Sequence, residues 1–205
     1  MKKLLLSLLA ILVLTACTKA PAEKPQNPTD HNVPEVTLTM ENGDKILIEL
    51  YPNIAPNTVN NFISLIEDGF YDGLIFHRVI PGFMVQGGDP DGQGTGGPGY
   101  SIAGEFSSNG FENTLEHKRG VLSMARAQHP DSAGSQFFIM SSDSPHLDGD
   151  YAAFGKVVDN IEAVDTVVSA ERGANDRPTE GNEQIIKIVT VDLKGYEPAP
   201  LKKLN

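Results

Sequence analysis

The amino-acid sequence predicts a fold dominated by β-strands, either a barrel or a sandwich, with two helices. The prediction rests on many short apolar runs separated by turn residues, while only two stretches place apolar residues at helical spacing. The 205 residues include 40% hydrophobic and 21% charged residues, which is typical of a soluble globular protein. A chain of this length can bury a sizeable core in one domain and still leave accessory segments.

The first two strands are predicted over residues 36–40 and 46–50. They are joined through Asn42-Gly43, a dipeptide that favours a two-residue hairpin because both residues tolerate a positive φ. We therefore expect a single domain that begins at about Glu35 and runs to residue 195.

The first helix is predicted to begin at Pro56 and to stop at Gly69. Proline suits the first helical position because its missing N–H needs no partner there, and glycine commonly terminates a helix. The apolar residues at helical spacing between them are Val59, Phe62, Ile63 and Ile66.

The middle of the chain predicts five more strands, each a short apolar run bounded by turn residues. A glycine-rich segment, residues 87–120, lies among them, and loops of that length inside a compact domain are usually functional. The five runs are residues 74–80, 83–86, 121–125, 136–140 and 153–158.

The last elements are a helix and a strand. The helix is predicted over residues 161–169, with Asp159 or Asn160 as its cap. The strand is predicted over residues 185–193, and residues 196–205 are expected to trail away from the domain as a C-terminal tail.

The N-terminus predicts a lipoprotein signal peptide over residues 1–16. Lys2 and Lys3 precede a largely apolar segment, residues 4–14, which is too short to span a bilayer comfortably. Residues 14–17 (LTAC) resemble the bacterial lipobox, in which the chain is cut before a cysteine whose sulfur is acylated. Cys17, the only cysteine, is therefore predicted to be lipidated and to anchor the protein to the membrane on its extracytoplasmic side. A plain signal peptide with an incidental cysteine is the alternative.

Residues 17–34 are predicted to form a tether. They contain four prolines and almost nothing apolar, so burial cannot repay the entropy of ordering them. A segment packed on the domain is the alternative interpretation.

The charge of the chain argues against nucleic acid as a partner. The formal net charge is −11, and without the two lysines of residues 1–16 it is 14 − 27 = −13. A surface this acidic repels phosphate backbones.

Three other site types are disfavoured. Residues 92–97 match G-x-G-x-x-G, but Pro98 and Gly99 follow at once, so no helix N-terminus is available for a dinucleotide. The five histidines show no i, i+4 pairing and there is one cysteine, so no metal site is indicated. Serine and aspartate are plentiful enough for a Ser–His–Asp arrangement, but no G-x-S-x-G motif indicates a hydrolase, and Ser135 lacks the second glycine of that motif.

Three remaining motifs point to one family. They are residues 76–89 (FHRVIPGFMVQGGD), residues 134–139 (GSQFFI), and residues 147–149 (LDG) followed by residues 154–157 (FGKV). In order and spacing they resemble the signature of the cyclophilins, which are peptidyl-prolyl cis/trans isomerases. The resemblance extends from about Glu35 to Leu193 and so covers the whole predicted domain.

This resemblance implies a closed eight-stranded antiparallel barrel with a helix over each end and an active groove on its outer surface. It implies Arg78 as the catalytic cation and Gln86 as a hydrogen-bonding amide, and it requires no cofactor. Strand spacing alone would place Phe83, Met84 and Phe138 in the core, and only the resemblance moves them to the groove. The remaining residues that it assigns to proline-peptide binding are Phe83, Met84, Ala125, Arg126, Gln136, Phe138, Leu147 and Tyr151. The residues expected in the core are Phe76, Val79, Phe137 and Ile139.

The chain departs from many animal cyclophilins at two positions. His146 stands where these have tryptophan, and Tyr151 stands where they have histidine. Because His146 offers less apolar area than an indole, we expect weak binding of cyclosporin-like inhibitors. Neither departure touches the chemistry expected of Arg78.

Two functions are compatible with these motifs. One is an isomerase that acts on proline-containing polypeptides and helps secreted or envelope proteins to fold. The other is a proline-recognising binding or chaperone module with vestigial catalysis. The presence of Arg78, Gln86 and Phe138 together favours the enzyme, and a monomer is the default expectation.

Overall fold

The computed structural model describes residues 33–204, so Cys17 and most of the predicted tether lie outside the described part. That part contains eight strands, two α-helices and three short 3₁₀ turns. No helix within residues 33–204 is long and apolar enough to cross a membrane. The elements are β1 (Glu35–Met40), β2 (Lys45–Leu50), α1 (Pro56–Glu67), β3 (Arg78–Ile80), β4 (Met84–Gly87), β5 (Val121–Met124), β6 (Phe137–Met140), β7 (Ala153–Asp159), α2 (Ile161–Val168) and β8 (Ile186–Asp192).

The eight strands form one antiparallel sheet in the order β3-β4-β6-β5-β7-β2-β1-β8. Within residues 33–204 no ladder joins the edge strands β3 and β8. The sheet curls until the segment before β3 meets the start of β8 at one bridge, between Ile75 and Ile185. The all-β barrel with two helices is confirmed, with the correction that a short bridge and not a full strand pair closes it.

The seam of the barrel, where residues 74–76 meet residues 184–186, explains why one strand prediction is only half right. Residues 74–80 read as a single strand, but Leu74 accepts a hydrogen bond from the N–H of Ile186 at 2.8 Å, across the seam. Only Arg78–Ile80 pairs with β4. The chain changes partner within one apolar run, and this change places Arg78 at the first position of β3.

The hairpin between β1 and β2 has a longer turn than Asn42-Gly43 predicted. Met40 donates to the carbonyl of Asp44 at 2.8 Å, so three residues lie between this pair. Gly43 has φ +94°, as the last residue of a three-residue turn requires. The hairpin is confirmed, and its two-residue turn is wrong.

Helix α1 begins at Pro56 as predicted, but its N-terminus is capped from a distant loop. The backbone N–H groups of Asn57 and Thr58 donate to the carboxylate of Glu105 at 3.0 and 2.8 Å, and the Thr58 hydroxyl donates to it at 2.6 Å. An acidic side chain at this position satisfies two otherwise unpaired donors and complements the helix dipole. The sequence around Pro56 contains no sign of this cap.

The two faces of the sheet carry separate apolar clusters. Side chains alternate along each strand, so Val79, Val85 and Ile139 are fully buried inside the barrel, as are Phe76 and Phe137. The expected core residues are therefore confirmed. The outer face carries a second, smaller cluster, which consists of Met84, Val121, Phe138, Met140, Leu147 and Ala153.

The glycine-rich segment after β4 wraps around a carboxylate of the chain itself. Asp89 is 1% exposed and accepts hydrogen bonds from the backbone N–H groups of residues 91, 93, 94 and 95. Although burial acts to raise it, these hydrogen bonds lower the pKa of Asp89 overall. An added Cβ at Gly96 would collide with this carboxylate, so a glycine is required there. The apparent dinucleotide motif is therefore an anion cradle that Asp89 already fills.

The C-terminal residues do not trail away as expected. Tyr196 donates its hydroxyl hydrogen to Asn60 on α1 at 2.7 Å. Leu204 and Ser101 exchange two backbone hydrogen bonds, of 2.7 and 3.2 Å. The tail, residues 196–204, is therefore packed along the domain.

Candidate active site

Nine of the ten groove residues expected from the sequence line one cavity on the outer face of the sheet. The cavity has a volume of about 140 Å³ and is lined by apolar side chains, one amide and two guanidinium groups. Its lining residues are Arg78, Phe83, Met84, Gln86, Ala125, Arg126, Phe138, Leu147 and Tyr151. The tenth residue, Gln136, lines a neighbouring cavity.

Strand register creates the floor of this groove. Arg78 on β3 pairs with Gln86 on β4, and Gln86 in turn pairs with Phe138 on β6. Residues that are directly opposite in neighbouring strands point to the same face of the sheet. A cation, an amide and an aromatic ring therefore stand in one row across three strands.

A chain of side-chain amides orients Arg78. The Arg78 Nη1 donates to Gln86 Oε1 at 3.4 Å, and Gln86 Nε2 donates to Gln136 Oε1 at 2.9 Å. Gln136 Nε2 then donates to the carbonyl of Gly96 at 2.9 Å. Each amide thus has a defined orientation, and Gln136 acts on the groove through Gln86.

Arg126 is held in place by carbonyl oxygens and rings. Its Nε donates to the carbonyl of Asp150 at 3.0 Å, and its Nη1 donates to that of Ala127 at 3.1 Å. Its guanidinium lies 5.1 Å from the Phe106 ring centre and 4.7 Å from that of Tyr151. Such cation–π contacts favour a fixed position for a long side chain.

The two positions that depart from the family pattern both lie at this site. Tyr151 meets Phe138 edge-on, with ring centres 5.9 Å apart. His146 is exposed and stacks on Phe83 with ring centres 5.7 Å apart. His146 therefore lies at the outer edge of the groove, beside one of its lining residues.

Residues 35–191 match the family model of the cyclophilin type peptidyl-prolyl cis-trans isomerases. The chain belongs to the cyclophilin family of peptidyl-prolyl cis/trans isomerases. The matched residues cover all eight strands except the last residue of β8.

Known cyclophilins are similar in sequence and in structure. Peptidyl-prolyl cis-trans isomerase B of Bacillus subtilis is 54% identical over 123 residues, which cover 60% of this chain and 82% of that protein. A peptidyl-prolyl cis-trans isomerase of Synechococcus elongatus is 50% identical over 139 residues, which cover 68% of this chain and 90% of that protein. The crystal structure of a Cryptosporidium parvum cyclophilin, determined in the presence of the dipeptide Ala-Pro, is 36% identical with a TM-score of 0.70. The match covers 77% of this chain and 98% of that one.

Behind its groove, this cyclophilin has a hydrogen-bonded Asp–His–Ser triad that the sequence did not reveal, in which His117 and Ser123 are buried and Asp148 is exposed. The Nδ1 of His117 lies 2.9 Å from Asp148 Oδ1, and its Nε2 lies 3.0 Å from Ser123 Oγ. An ionised carboxylate can only accept, so Nδ1 carries the proton and the Ser123 hydroxyl donates to Nε2. Ser123 is six positions from His117 in the sequence and Asp148 is 31 positions from it, so no local motif links the three.

The Asp148–His117–Ser123 triad supports the groove and is not built for hydrolysis. Ser123 is 0% exposed, so no substrate carbonyl can reach its hydroxyl. The His117 ring stacks on Phe138 with centres 6.0 Å apart, and Ser123 pairs with Phe138 across β5 and β6. The three residues therefore hold the ring that forms the floor of the cavity.

The ionisation of His117 follows from its burial, and that of Asp148 follows from its hydrogen bonds. Desolvation lowers the pKa of His117, against an opposing contribution from Asp148. Partial burial acts to raise the pKa of Asp148, but hydrogen bonds from the backbone and ring of His117 lower it overall. The resting state is thus a neutral ring beside a carboxylate.

We expect the free energy of unfolding to fall as the pH drops below about 6.5, the ordinary histidine pKa. In that range the unfolded chain binds a proton that folded His117 rejects, so each such histidine costs at most about 1.4 kcal/mol per pH unit. Buried His77 has a lowered pKa and contributes with the same sign. Urea unfolding at pH 7.5 and 5.5 measures the effect.

The variant His117→Gln should show a smaller loss between these two pH values than the wild type. Ser123→Ala is the control, since it removes a hydrogen bond but keeps the titrating ring, so it should retain the pH dependence. An unchanged pH dependence in His117→Gln would show that another group is responsible.

No group of three or more His, Cys, Asp or Glu side chains within residues 33–204 is arranged to hold a metal ion. The groove offers two guanidinium groups, side-chain amides and apolar side chains. These groups suit a reaction in which bonds rotate and none is broken.

Proposed function

We propose that this cyclophilin accelerates rotation about X–Pro bonds of secreted or envelope proteins and so assists their folding, with Arg78 as its catalytic residue. The observation that carries the proposal is the half-buried Arg78 guanidinium, which lies at an apolar groove with a side-chain amide as its partner. Within residues 33–204 no carboxylate pairs with it. Its remaining donors have no partner in the part of the chain that the structure describes and can serve a substrate.

The reaction requires stabilisation of a twisted amide. Rotation breaks amide resonance, which creates a barrier of about 18–20 kcal/mol and leaves a lone pair on the prolyl nitrogen. Arg78 can donate to that nitrogen only after resonance is lost, so the hydrogen bond favours the transition state over the ground state. Arginine also remains charged at any working pH.

The apolar wall of the groove supplies the transition-state stabilisation that one hydrogen bond cannot. A hundred-thousandfold acceleration requires about 7 kcal/mol, whereas a hydrogen bond from a charged donor supplies about 1.5–3 kcal/mol. Phe83, Met84 and Phe138 would hold the proline ring, and Gln86 would bind a flanking carbonyl. Because Gln86 is fixed through Gln136, little ordering entropy is lost on binding.

A protease-coupled assay with a proline-containing tetrapeptide tests the isomerase against the binding module. If the protein is an isomerase, the rate of cis-to-trans isomerisation of the peptide should rise in proportion to protein concentration. A protein that binds the peptide but leaves its slow isomerisation unchanged would be the binding module instead.

We also propose that the enzyme works outside the cytoplasmic membrane as a lipoprotein anchored through Cys17. The support comes from the sequence of residues 1–34 alone, where a lipobox is followed by a proline-rich stretch. At roughly 3.1 Å per residue, an extended tether of this length would allow a reach of about 50 Å from the membrane.

We also propose that cyclosporin-like inhibitors bind weakly, because His146 at the exposed edge of the groove offers less apolar area than an indole. His146→Trp should tighten such binding about tenfold, because roughly 60 Å² of extra apolar burial is worth about 1.5 kcal/mol. Peptide turnover should barely change, since His146 stacks on Phe83 and is not among the residues that line the cavity with Arg78. Inhibitor titration of both proteins against one proline peptide measures the shift. Equal inhibition constants would place His146 outside the inhibitor contact.

A further inference from the structure

A second and larger cavity adjoins the groove. Its volume is about 810 Å³, and Arg78, Gln86 and Arg126 line both spaces. Its far wall is formed by residues 92–94 and 174–177. A polypeptide whose proline lies in the groove would therefore have flanking residues within reach of this space.

The cavity concentrates positive charge on an acidic protein. Arg78, Arg126 and Arg177 all line it, while the chain without residues 1–16 has a net charge of 14 − 27 = −13. Within residues 33–204 none of the three arginines has a carboxylate in ion-pair contact. Arg126 donates to backbone carbonyls, and Arg177 donates to that of Gly92. Carbonyl partners hold the side chains but do not neutralise them.

One acid faces the same space and is partly neutralised elsewhere. Asp176 lies 3.4 Å from the Nε of Arg172, which lies outside the cavity lining. The balance of the lining therefore remains positive.

A buried histidine without partners lies in the wall of this cavity. His77 lines it and is 5% exposed, and neither ring nitrogen has a hydrogen-bond partner within residues 33–204. Such a group normally costs stability unless a ligand or water satisfies it. Burial lowers the pKa of His77, as do Arg177 and Arg78, against Asp89, so the ring is neutral and offers one N–H donor.

We propose that this cavity is a specificity subsite for an aspartate or glutamate side chain close to the proline of the substrate. The inference rests on the proposed isomerase function and adds to it a substrate class, acidic proline-containing segments. A carboxylate there would face three guanidinium groups. Guanidinium groups bind carboxylates with two parallel hydrogen bonds, which gives direction as well as attraction.

The test is a scan of proline peptides on the wild-type enzyme. One glutamate replaces a glutamine at each position from three residues before the proline to three after it, and kcat/KM is measured at low salt. At one position or on one side, the glutamate peptide should be preferred about five- to tenfold over its glutamine twin. The preference should shrink in 1 M salt, where the screening length is about 3 Å.

Variants assign the preference to the cavity. Arg177→Gln should reduce the ratio of glutamate to glutamine peptide about threefold or more, and Arg177→Lys should keep most of it. Lys45→Gln removes the same charge from an exposed position on β2, away from both cavities, and should leave the ratio unchanged.

Two outcomes would overturn the inference. One is rapid turnover with glutamate and glutamine peptides equal within twofold at every position, which leaves the isomerase function intact. The other is a preference that Arg177→Gln does not change. If no peptide is turned over, the proposed function fails, and dissociation constants of the same peptides measured by fluorescence anisotropy then decide the subsite separately.

Discussion

Arg78→Ala is expected to reduce kcat/KM for a proline tetrapeptide about a hundredfold while leaving the fold intact. The lost hydrogen bond exists only when the prolyl nitrogen has left amide resonance, so the loss should appear mainly in kcat. Removing one such donor from a preorganised site typically costs about 10²–10³ in rate. The fold should tolerate the change because Arg78 is half-buried, forms no ion pair within residues 33–204 and donates only to Gln86. Protease-coupled kinetics and circular dichroism measure the two effects.

Two matched variants sharpen this experiment. Arg78→Lys keeps the charge but loses the planar fork of donors, so most activity should still be lost. Arg172→Ala removes an arginine outside both cavities and should keep more than half of the activity, since its exposed ion pair with Asp176 contributes little. An Arg78→Ala protein with wild-type circular dichroism and over half of the wild-type rate would show that Arg78 is not the catalytic residue.

Cys17→Ser is expected to move the protein from the membrane fraction to the soluble fraction of a bacterial host. The predicted anchor depends on one sulfur, because Cys17 is the only cysteine of the chain. Stable anchoring requires more than one acyl chain or a second membrane signal, and a protein with an acidic net charge is not attracted to anionic lipids. Fractionation with metabolic labelling by a clickable fatty acid measures both localisation and modification.

The neighbouring substitution Thr18→Ala is the control, since it leaves the cysteine and residues 14–16 in place and should remain labelled in the membrane fraction. Cys17→Ser should also retain isomerase activity, because the family match begins only at residue 35. Lipid label that persists on Cys17→Ser would rule out acylation at this sulfur. A wild-type protein without label would favour the plain signal peptide.

Local sequence was sufficient for most of the secondary structure. Alternating apolar residues predicted the strands, and Pro56 marks the start of α1, because period and turn chemistry act over a few residues. Apart from the length of the turn between β1 and β2, the errors occurred where a distant partner decides the outcome. Residues 74–76 bond across the seam to the start of β8, and the tail is held by α1 and Ser101.

The groove was predictable by resemblance and not by pattern. Strand spacing would have placed Phe83, Met84 and Phe138 in the core, because apolar residues on the two faces of a sheet look alike in sequence. In the structure they line the outer cavity with Arg78. Curvature of the sheet decides which face encloses the core, and no single strand carries that information.

By itself, the sequence determined the strands and helices, the acidic character of the domain and the motifs around Arg78. Only the tertiary structure decided how these motifs work together. It placed His117 between Asp148 and Ser123, filled the glycine-rich cradle with Asp89, and gathered three arginines around one cavity. Strand register and long-range packing create such contacts. Polar groups that leave water are stable only when they are paired, and their partners can come from any part of the chain. The sequence around one group therefore carries no signal of its partner.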